Sequence, residues 1–193
     1  MSVLTLANQL TFLRLALVPV FALCMLYGRP GWALVTFLIA GATDALDGLI
    51  ARRTGQFSTL GAWLDPMADK LLLLTMFVML TLPGLTLANH VPLWLTVVVV
   101  SRDIAIVVTV AVVNLAVARR TFRPSMLGKT ATAVFILTGV CALFENYRGV
   151  RSPLVPAFVY VSLGLTIASG IHYIVGLLRW LAAGEPSSDA PRS

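Results

Sequence analysis

Long apolar segments separated by short polar turns make up almost the whole chain. Six segments approach or exceed the roughly 20 mostly apolar residues that a helix needs to cross a bilayer. They cover approximately residues 10–27, 32–53, 60–82, 91–118, 127–144 and 153–180. This pattern predicts an all-α polytopic membrane protein with six transmembrane helices. Residues 1–183 would form a single membrane-embedded domain, and the polar residues 184–193 a disordered C-terminal tail.

The composition agrees with a membrane protein. Hydrophobic residues make up 59% of the 193 residues and charged residues only 11%. A soluble domain has about 25% charged residues. The net charge of +6 has no soluble basic domain to carry it, so we expect no nucleic-acid partner. We interpret this charge as a topology signal and as an attraction to anionic membrane lipids.

The basic residues also predict an orientation, because cytoplasmic loops of membrane proteins are enriched in Lys and Arg. If the six helices alternate in direction, one side of the membrane receives seven basic residues and the other receives three. The larger group is Arg52, Arg53, Arg119, Arg120, Arg123, Lys129 and Arg179, and the smaller group is Arg29, Arg148 and Arg151. We therefore expect an integral membrane protein, in the cytoplasmic (inner) membrane if the source is bacterial, with both termini and the active site facing the cytosol.

Four aspartates interrupt the second and third apolar segments. Asp44 and Asp47 share one helical face, and Asp65 and Asp69 share another. If the two helices are antiparallel, the two pairs converge, and their charges repel unless cations neutralise them. Ligands that are all oxygen favour Mg²⁺, Mn²⁺ or Ca²⁺ over zinc. The four aspartates therefore predict a divalent-metal site.

The residues around the aspartates suggest phosphate chemistry. Gly48 has no side chain where a ligand could approach closely, and Arg52, one helical turn further on, could bind a phosphate. Asp65 and Pro66 fit either a helix N-cap followed by proline or a tolerated kink near a helix start. Carboxylates, metal ions and an arginine together are suited to diphosphate chemistry, in which two metal ions hold the attacking and leaving oxygens.

These residues form a motif that resembles the CDP-alcohol phosphotransferase family. The hallmark of that family is D-x-x-D-G-x-x-A-R, then eight residues, then G-x-x-x-D-x-x-x-D. The resemblance covers roughly residues 5–180, because the segment from Asn8 to Arg14 and the pair Gly128-Lys129 are also similar to family elements. The chain has every position of the motif, namely Asp44, Asp47, Gly48, Ala51, Arg52, Gly61, Asp65 and Asp69.

The resemblance implies a catalytic mechanism. Asp44, Asp47, Asp65 and Asp69 would bind two Mg²⁺ or Mn²⁺ ions. Asp69 would also be the general base that takes the proton from an acceptor hydroxyl. The hydroxyl oxygen would attack the lipid-linked phosphorus of CDP-diacylglycerol, and CMP would leave.

The resemblance also implies a nucleotide pocket and an assembly state. Gly48, Arg52 and Ser58 would contact the CDP group, and Asn8 and Gln9 would line the same pocket. Members of the family usually form homodimers, which we expect here only by analogy.

A second polar group bears on the acceptor. Arg102 and Lys129 could bind an anionic acceptor such as glycerol 3-phosphate, although Arg102 and Asp103 could instead form a self-compensating pair within the membrane. NQLTFLRLALVPVF and GAWLDPMADK are similar to phosphatidylglycerophosphate synthases. SRDIAIV and RPSMLGKTATA are closer to the cardiolipin synthases of this fold, whose acceptor is phosphatidylglycerol. Typical phosphatidylglycerophosphate synthases have Arg-Glu at the position of Arg102-Asp103. We expect glycerol 3-phosphate first, then phosphatidylglycerol, with phosphatidylinositol-phosphate synthesis a more distant third.

Two other functions compete with an enzyme. Intramembrane carboxylates also line the ion paths of cation transporters, although the four aspartates are expected near one end of two helices and no inverted repeat is visible. A purely structural membrane protein is the other alternative. It predicts that an Asp69→Asn change has no effect on lipid composition.

Overall fold

The computed structural model describes residues 6–54, 59–116 and 126–182, and the surroundings of individual side chains at 9–46, 64, 67–108 and 126–175. Over the described residues the chain forms six α-helices. They are α1 (Leu6–Leu26), α2 (Pro30–Thr54), α3 (Thr59–Thr81), α4 (Leu93–Ala116), α5 (Met126–Arg148) and α6 (Leu154–Ala182). The predicted all-α fold with six helices is confirmed, and the predicted helix ends are within about four residues of those observed. The predicted disordered tail lies outside the described residues.

Several helices are suited to a bilayer. Within the part of the chain that the structure describes, three contain a stretch that is long and apolar enough to cross a membrane, in Gln9–Leu26, Met126–Arg148 and Leu154–Val175. The apolar part of α2 is shorter and covers Pro30–Leu46. Large apolar side chains also lie on the outside of the bundle, such as Ile104, which is 57% exposed. Together with the composition, these helices indicate an integral membrane protein.

Two glycines end helices at the same end of the bundle. Gly28 follows α1 and Gly149 follows α5, with φ angles of 65° and 67° that favour glycine. After α1, the N–H of Arg29 donates to the carbonyl of Cys24, and that of Gly28 donates to Met25. This pair of hydrogen bonds is a Schellman motif, which satisfies the last carbonyls of the helix. The N–H groups after α5 bond in the same pattern.

The core is formed by close contacts between apolar side chains of different helices. Phe77 of α3 meets Phe135 of α5 edge to face, with ring centroids 6.1 Å apart. A Cβ atom at Gly139 would overlap the buried side chain of Met76, so this glycine allows α5 to approach α3. α1 packs against both α2 and α3. The packing of α1 against these two helices determines the geometry of the candidate site.

Hydroxyl pairs also join the helices inside the bundle. Thr81 of α3 and Thr96 of α4 share a hydrogen bond of 2.6 Å, and Thr138 of α5 and Ser162 of α6 share one of 2.8 Å. In lipid such pairs hold helices together, because apolar surface alone gives little preference for helix contact over lipid contact.

The loop between α3 and α4 is joined to the end of α5 by a pair of buried asparagines, Asn89 and Asn146, which we call the asparagine clamp. The N–H of Asn89 donates to Oδ1 of Asn146 at 2.8 Å, and Nδ2 of Asn146 donates to the carbonyl of Asn89 at 2.9 Å. Asn89 also donates to the carbonyl of Val150 and accepts from the N–H of Ser152. The clamp therefore connects two loops at the end of the bundle where α1 and α5 end.

Candidate active site

A buried arginine brings two of the four motif aspartates together. Nη1 of Arg14 in α1 lies 2.7 Å from Oδ1 of Asp69 in α3. Nη2 of the same guanidinium lies 2.9 Å from Oδ1 of Asp44 in α2. Because one guanidinium contacts both, the two carboxylates lie side by side. The side chain of Arg14 is 0% exposed, whereas those of Asp44 and Asp69 are 50% and 43% exposed.

The two contacts of Arg14 differ in kind. Its contact with Asp69 is a hydrogen bond, whereas its contact with Asp44 has the distance of an ion pair but not the geometry of a hydrogen bond. Over the described part of the chain, Nη2 and the buried Nε of Arg14 have no hydrogen-bond partner. Arg14 thus acts on Asp44 mainly through its charge, and on Asp69 through both its charge and a directional hydrogen bond.

Asp44 and Asp69 lie well inside their helices. Asp44 precedes the last residue of α2, Thr54, by ten residues, and Asp69 follows the first residue of α3, Thr59, by ten. At about 1.5 Å of rise per residue, each is about 15 Å from its helix end. The expectation that the aspartates cluster at the helix ends is therefore wrong for these two.

Asp65 and Pro66 both lie within α3, which begins at Thr59. Asp65 is therefore not an N-cap, and a kink at this point stays a prediction. Pro66 is the eighth residue of α3, beyond the first four N–H groups that have no partner within a helix, so it costs the helix one backbone hydrogen bond.

The structure describes the other motif residues only in part. The backbones of Asp47, Gly48 and Arg52 lie in α2, but their side chains, and that of Asp65, lie outside the described side chains, as does the side chain of Asn8 in α1. Gln9 of α1 is exposed, and Ser58 lies outside the described residues. With the side chains of Asp47 and Asp65 not described, no group of three or more possible metal ligands occurs among the described residues.

The candidate acceptor residue Arg102 is paired. Its Nη1 donates to Oδ1 of Asp103 at 2.8 Å, and Nζ of Lys70 donates to Oδ2 of the same carboxylate at 3.1 Å. Arg102 and Asp103 thus form the self-compensating pair. Lys70, which follows Asp69 in the sequence, binds the same carboxylate. The second candidate, Lys129, is exposed near the start of α5 and has no ion pair within the described residues.

A cleft of about 270 Å³ extends along α3, α4 and α5 beside this group. Among the described residues of its lining, Lys70 and Asp103 are the charged ones. The other described lining residues are apolar apart from Thr132, and include Leu74, Phe77, Val100, Ile104, Val107, Val108 and Phe135. Val107 and Val108 are 53% and 52% exposed, so the cleft is open on the outer surface of α4. It has the character of a site for a hydrocarbon chain next to a polar group.

Sequence comparison identifies the family. The family model described as CDP-alcohol phosphatidyltransferase matches residues 4–178. The chain belongs to the CDP-alcohol phosphatidyltransferase family. It is therefore a membrane-embedded transferase of phospholipid synthesis.

Similar proteins carry names from two branches of this family. The chain is 36% identical to a cardiolipin synthase (CMP-forming) of Streptomyces coelicolor, over 94% of this chain and 86% of that protein. It is 37% identical to a probable phosphatidylglycerophosphate synthase of Mycobacterium tuberculosis, over 90% and 82%. It is 32% identical to a CDP-diacylglycerol–glycerol-3-phosphate 3-phosphatidyltransferase of Bacillus subtilis, over 87% and 92%. The enzyme class is thus established, and the two branches differ in the acceptor.

The sequence motifs give no site role to Arg14 or Lys70, two residues that contact the charged groups described above. Arg14 belongs to the N-terminal segment that is similar to a family element, and the spacing of the motif does not include Lys70. Arg14 is the one charged residue among the first 28 residues of the chain. A lone charge inside a membrane helix usually has a partner and a function, so the sequence itself indicates a role for Arg14.

Proposed function

We propose that the protein moves the phosphatidyl group from CDP-diacylglycerol to the hydroxyl of a glycerol-derived acceptor and releases CMP. The observation that carries the proposal is the convergence of Asp44 and Asp69 on one guanidinium. It brings motif residues of α2 and α3 side by side in a membrane bundle. The acyl chains of the donor would stay in the bilayer while its diphosphate reaches the carboxylates.

The carboxylates fit two Mg²⁺ or Mn²⁺ ions. Asp44, Asp47, Asp65 and Asp69 supply only oxygen ligands, which these cations prefer. A carboxylate has about four lone-pair sites, so a bond from Arg14 does not by itself prevent cation binding. When bound, the ions would neutralise the diphosphate and the charge that develops on leaving CMP.

The residues of the chain would supply the remaining chemistry. Asp69 would accept the proton of the acceptor hydroxyl, whose oxygen forms a new bond to the lipid-linked phosphorus. The bond from that phosphorus to the oxygen of CMP breaks, and CMP leaves with the electron pair. Gly48, Arg52 and Ser58, with Asn8 and Gln9, are proposed to hold the CDP group while this exchange takes place.

Glycerol 3-phosphate is the first acceptor that we propose. Support comes from the NQLTFLRLALVPVF and GAWLDPMADK segments and from the relative in Bacillus subtilis, whose name specifies this acceptor. The exposed Lys129 is suited to an acceptor phosphate. Arg102 is already neutralised by Asp103, which makes it a weaker candidate for this role.

Phosphatidylglycerol is the second acceptor, and the cleft beside Lys70 and Asp103 favours it. A lipid acceptor has chains that need an apolar surface next to the centre, whereas glycerol 3-phosphate has none. The cleft offers such a surface, and its charged residue Lys70 directly follows Asp69.

An assay with the two acceptors in parallel tests the proposal. Purified protein in detergent receives CDP-diacylglycerol, Mg²⁺ and either labelled glycerol 3-phosphate or labelled phosphatidylglycerol. We expect acceptor-dependent release of CMP, a labelled lipid product with one acceptor, and loss of both signals with excess EDTA. Cation flux in liposomes without any CMP release would contradict the proposal and favour a transporter.

Filling the cleft distinguishes the two acceptors further. We expect Val107→Trp to lower the transfer rate to phosphatidylglycerol several-fold and to leave the rate with glycerol 3-phosphate within about twofold, because only the lipid needs the cleft. Val97→Trp is the matched control, since Val97 is also 53% exposed on α4 but does not line the cleft. If Val107→Trp lowers both transfer rates equally, the cleft binds CDP-diacylglycerol. If it lowers neither rate, the cleft has no part in the reaction.

The orientation and assembly are also proposals. The excess of basic residues that the sequence predicts for one side of the membrane supports a cytosolic active site. The family resemblance supports a homodimer. Labelling of single introduced cysteines from either side of the membrane, and the mass of the detergent-solubilised protein, test these two points.

A further inference from the structure

We propose that Arg14 is the positioning residue of the metal centre, a built-in cation that holds Asp44 and Asp69 together before metal ions arrive. This inference rests on the proposed metal-dependent function. Arg14 contacts Asp69 at 2.7 Å and Asp44 at 2.9 Å. One guanidinium thus joins these two motif aspartates.

The burial of Arg14 defines what it can do. With 0% exposure, its guanidinium is out of reach of a substrate, so it does not serve as a phosphate-binding residue in this conformation. The two carboxylates, in contrast, are about half exposed and can meet a ligand. Arg14 therefore acts through Asp44 and Asp69 and not on the substrate itself.

Electrostatics gives the reason why such a residue is needed. Two carboxylates side by side repel each other, because at such short range water screens the charges of half-exposed groups only in part. Without a cation, this repulsion would push them apart. A fixed guanidinium removes this repulsion and sets the direction of Asp69 through a hydrogen bond. Groups that orient metal ligands in this way typically change metal affinity 10- to 100-fold when they are removed.

Arginine is better suited to this role than lysine. Its guanidinium is planar, stays charged, and offers two terminal nitrogens, one for each carboxylate. A lysine ammonium keeps the charge but is a single point on a flexible stem, so it cannot fix the two carboxylates in the same way. Arg14→Lys thus separates the effect of charge from the effect of geometry.

The test measures Mn²⁺ itself. Free and bound Mn²⁺ are determined by electron paramagnetic resonance for the purified protein in detergent. We expect Arg14→Gln to weaken Mn²⁺ binding at least tenfold and Arg14→Lys to weaken it several-fold. We also expect the Mn²⁺ concentration that gives half-maximal transfer to rise by a similar factor, with a smaller change in the KM for CDP-diacylglycerol. Arg148→Gln removes an exposed arginine at the other end of the bundle, and should bind Mn²⁺ like the wild type.

The outcomes separate this inference from the proposed function. If folded Arg14→Gln binds Mn²⁺ as tightly as the wild type, or more tightly, the positioning role is wrong and Arg14 only supports the fold. If Arg14→Gln does not fold, Arg14→Lys decides, and an unchanged affinity in that variant overturns the inference. A wild-type protein that binds no Mn²⁺ would instead contradict the metal-dependent function.

Discussion

We expect Asp69→Asn to lose phosphatidyl transfer by at least about a hundredfold, because a positioned general base contributes roughly 10²–10⁴ to a rate. The amide has nearly the same shape as the carboxylate and can still accept the hydrogen bond from Arg14. The fold should therefore survive while the proton acceptor is lost. Initial rates of CMP release from CDP-diacylglycerol, at saturating acceptor and Mg²⁺, measure the effect.

A binding measurement and a control make this prediction specific. CDP-diacylglycerol should still bind to Asp69→Asn, as measured by its protection of the protein against thermal unfolding. Glu145→Gln makes the same carboxylate-to-amide change at a buried position of α5, at the other end of the bundle, and should keep most of the transfer rate. Substantial turnover by Asp69→Asn would show that another group takes the proton.

The fold could be predicted well because the physical signal is strong and local. In lipid every backbone polar group must be satisfied within the segment, so long apolar runs form helices. α1 ends close to the predicted residue 27, at a turn around Gly28, because only glycine readily adopts the φ of 65° observed there. The exact ends of the helices are harder to predict, because polar residues can continue a helix beyond its apolar part. α2, for example, begins at Pro30 and continues to Thr54.

The site could be predicted less completely. The motif spacing identified Asp44 and Asp69 as neighbours of each other, but it did not identify α1 as the helix that joins them. The link depends on packing between helices distant in sequence, with Arg14 and Asp69 separated by 55 positions. The pairing of Lys70 with Asp103 could not be predicted for the same reason, because it depends on how α3 packs against α4. Spacing within one helix carries no information of this kind.

The depth of the aspartates changes the case against a transporter. With Asp44 and Asp69 about 15 Å inside their helices, their position alone no longer distinguishes an interfacial enzyme from an ion path. The family match over residues 4–178 decides for the enzyme. In the proposed function the donor diphosphate reaches below the helix ends, which suits a substrate whose chains are in the bilayer.

The asparagine clamp leads to the second large expected effect, on stability. We expect Asn146→Ala to lower the free energy of unfolding by about 2–4 kcal/mol, because it leaves the buried N–H and carbonyl of Asn89 without their partners, at about 1–3 kcal/mol for each unpaired group. Both asparagines are less than 10% exposed, so water cannot easily replace the lost bonds. A melting temperature lowered by several degrees in detergent would measure the change.

Thr130, which also lies in α5, provides the control for the asparagine clamp. Thr130→Ala also removes a hydrogen bond from α5, but that bond goes to the carbonyl of Met126 at an exposed site, where water can replace it. Its melting temperature should stay within about a degree of the wild type, since exposed substitutions usually change stability by less than about 0.5 kcal/mol. At a temperature where it is folded, Asn146→Ala should transfer at close to the wild-type rate, because the clamp lies at the other end of the bundle from the start of α3. Equal melting temperatures for the two variants would mean that the loops hold together without the clamp. A loss of transfer by folded Asn146→Ala would mean that the two ends of the bundle are coupled through α5.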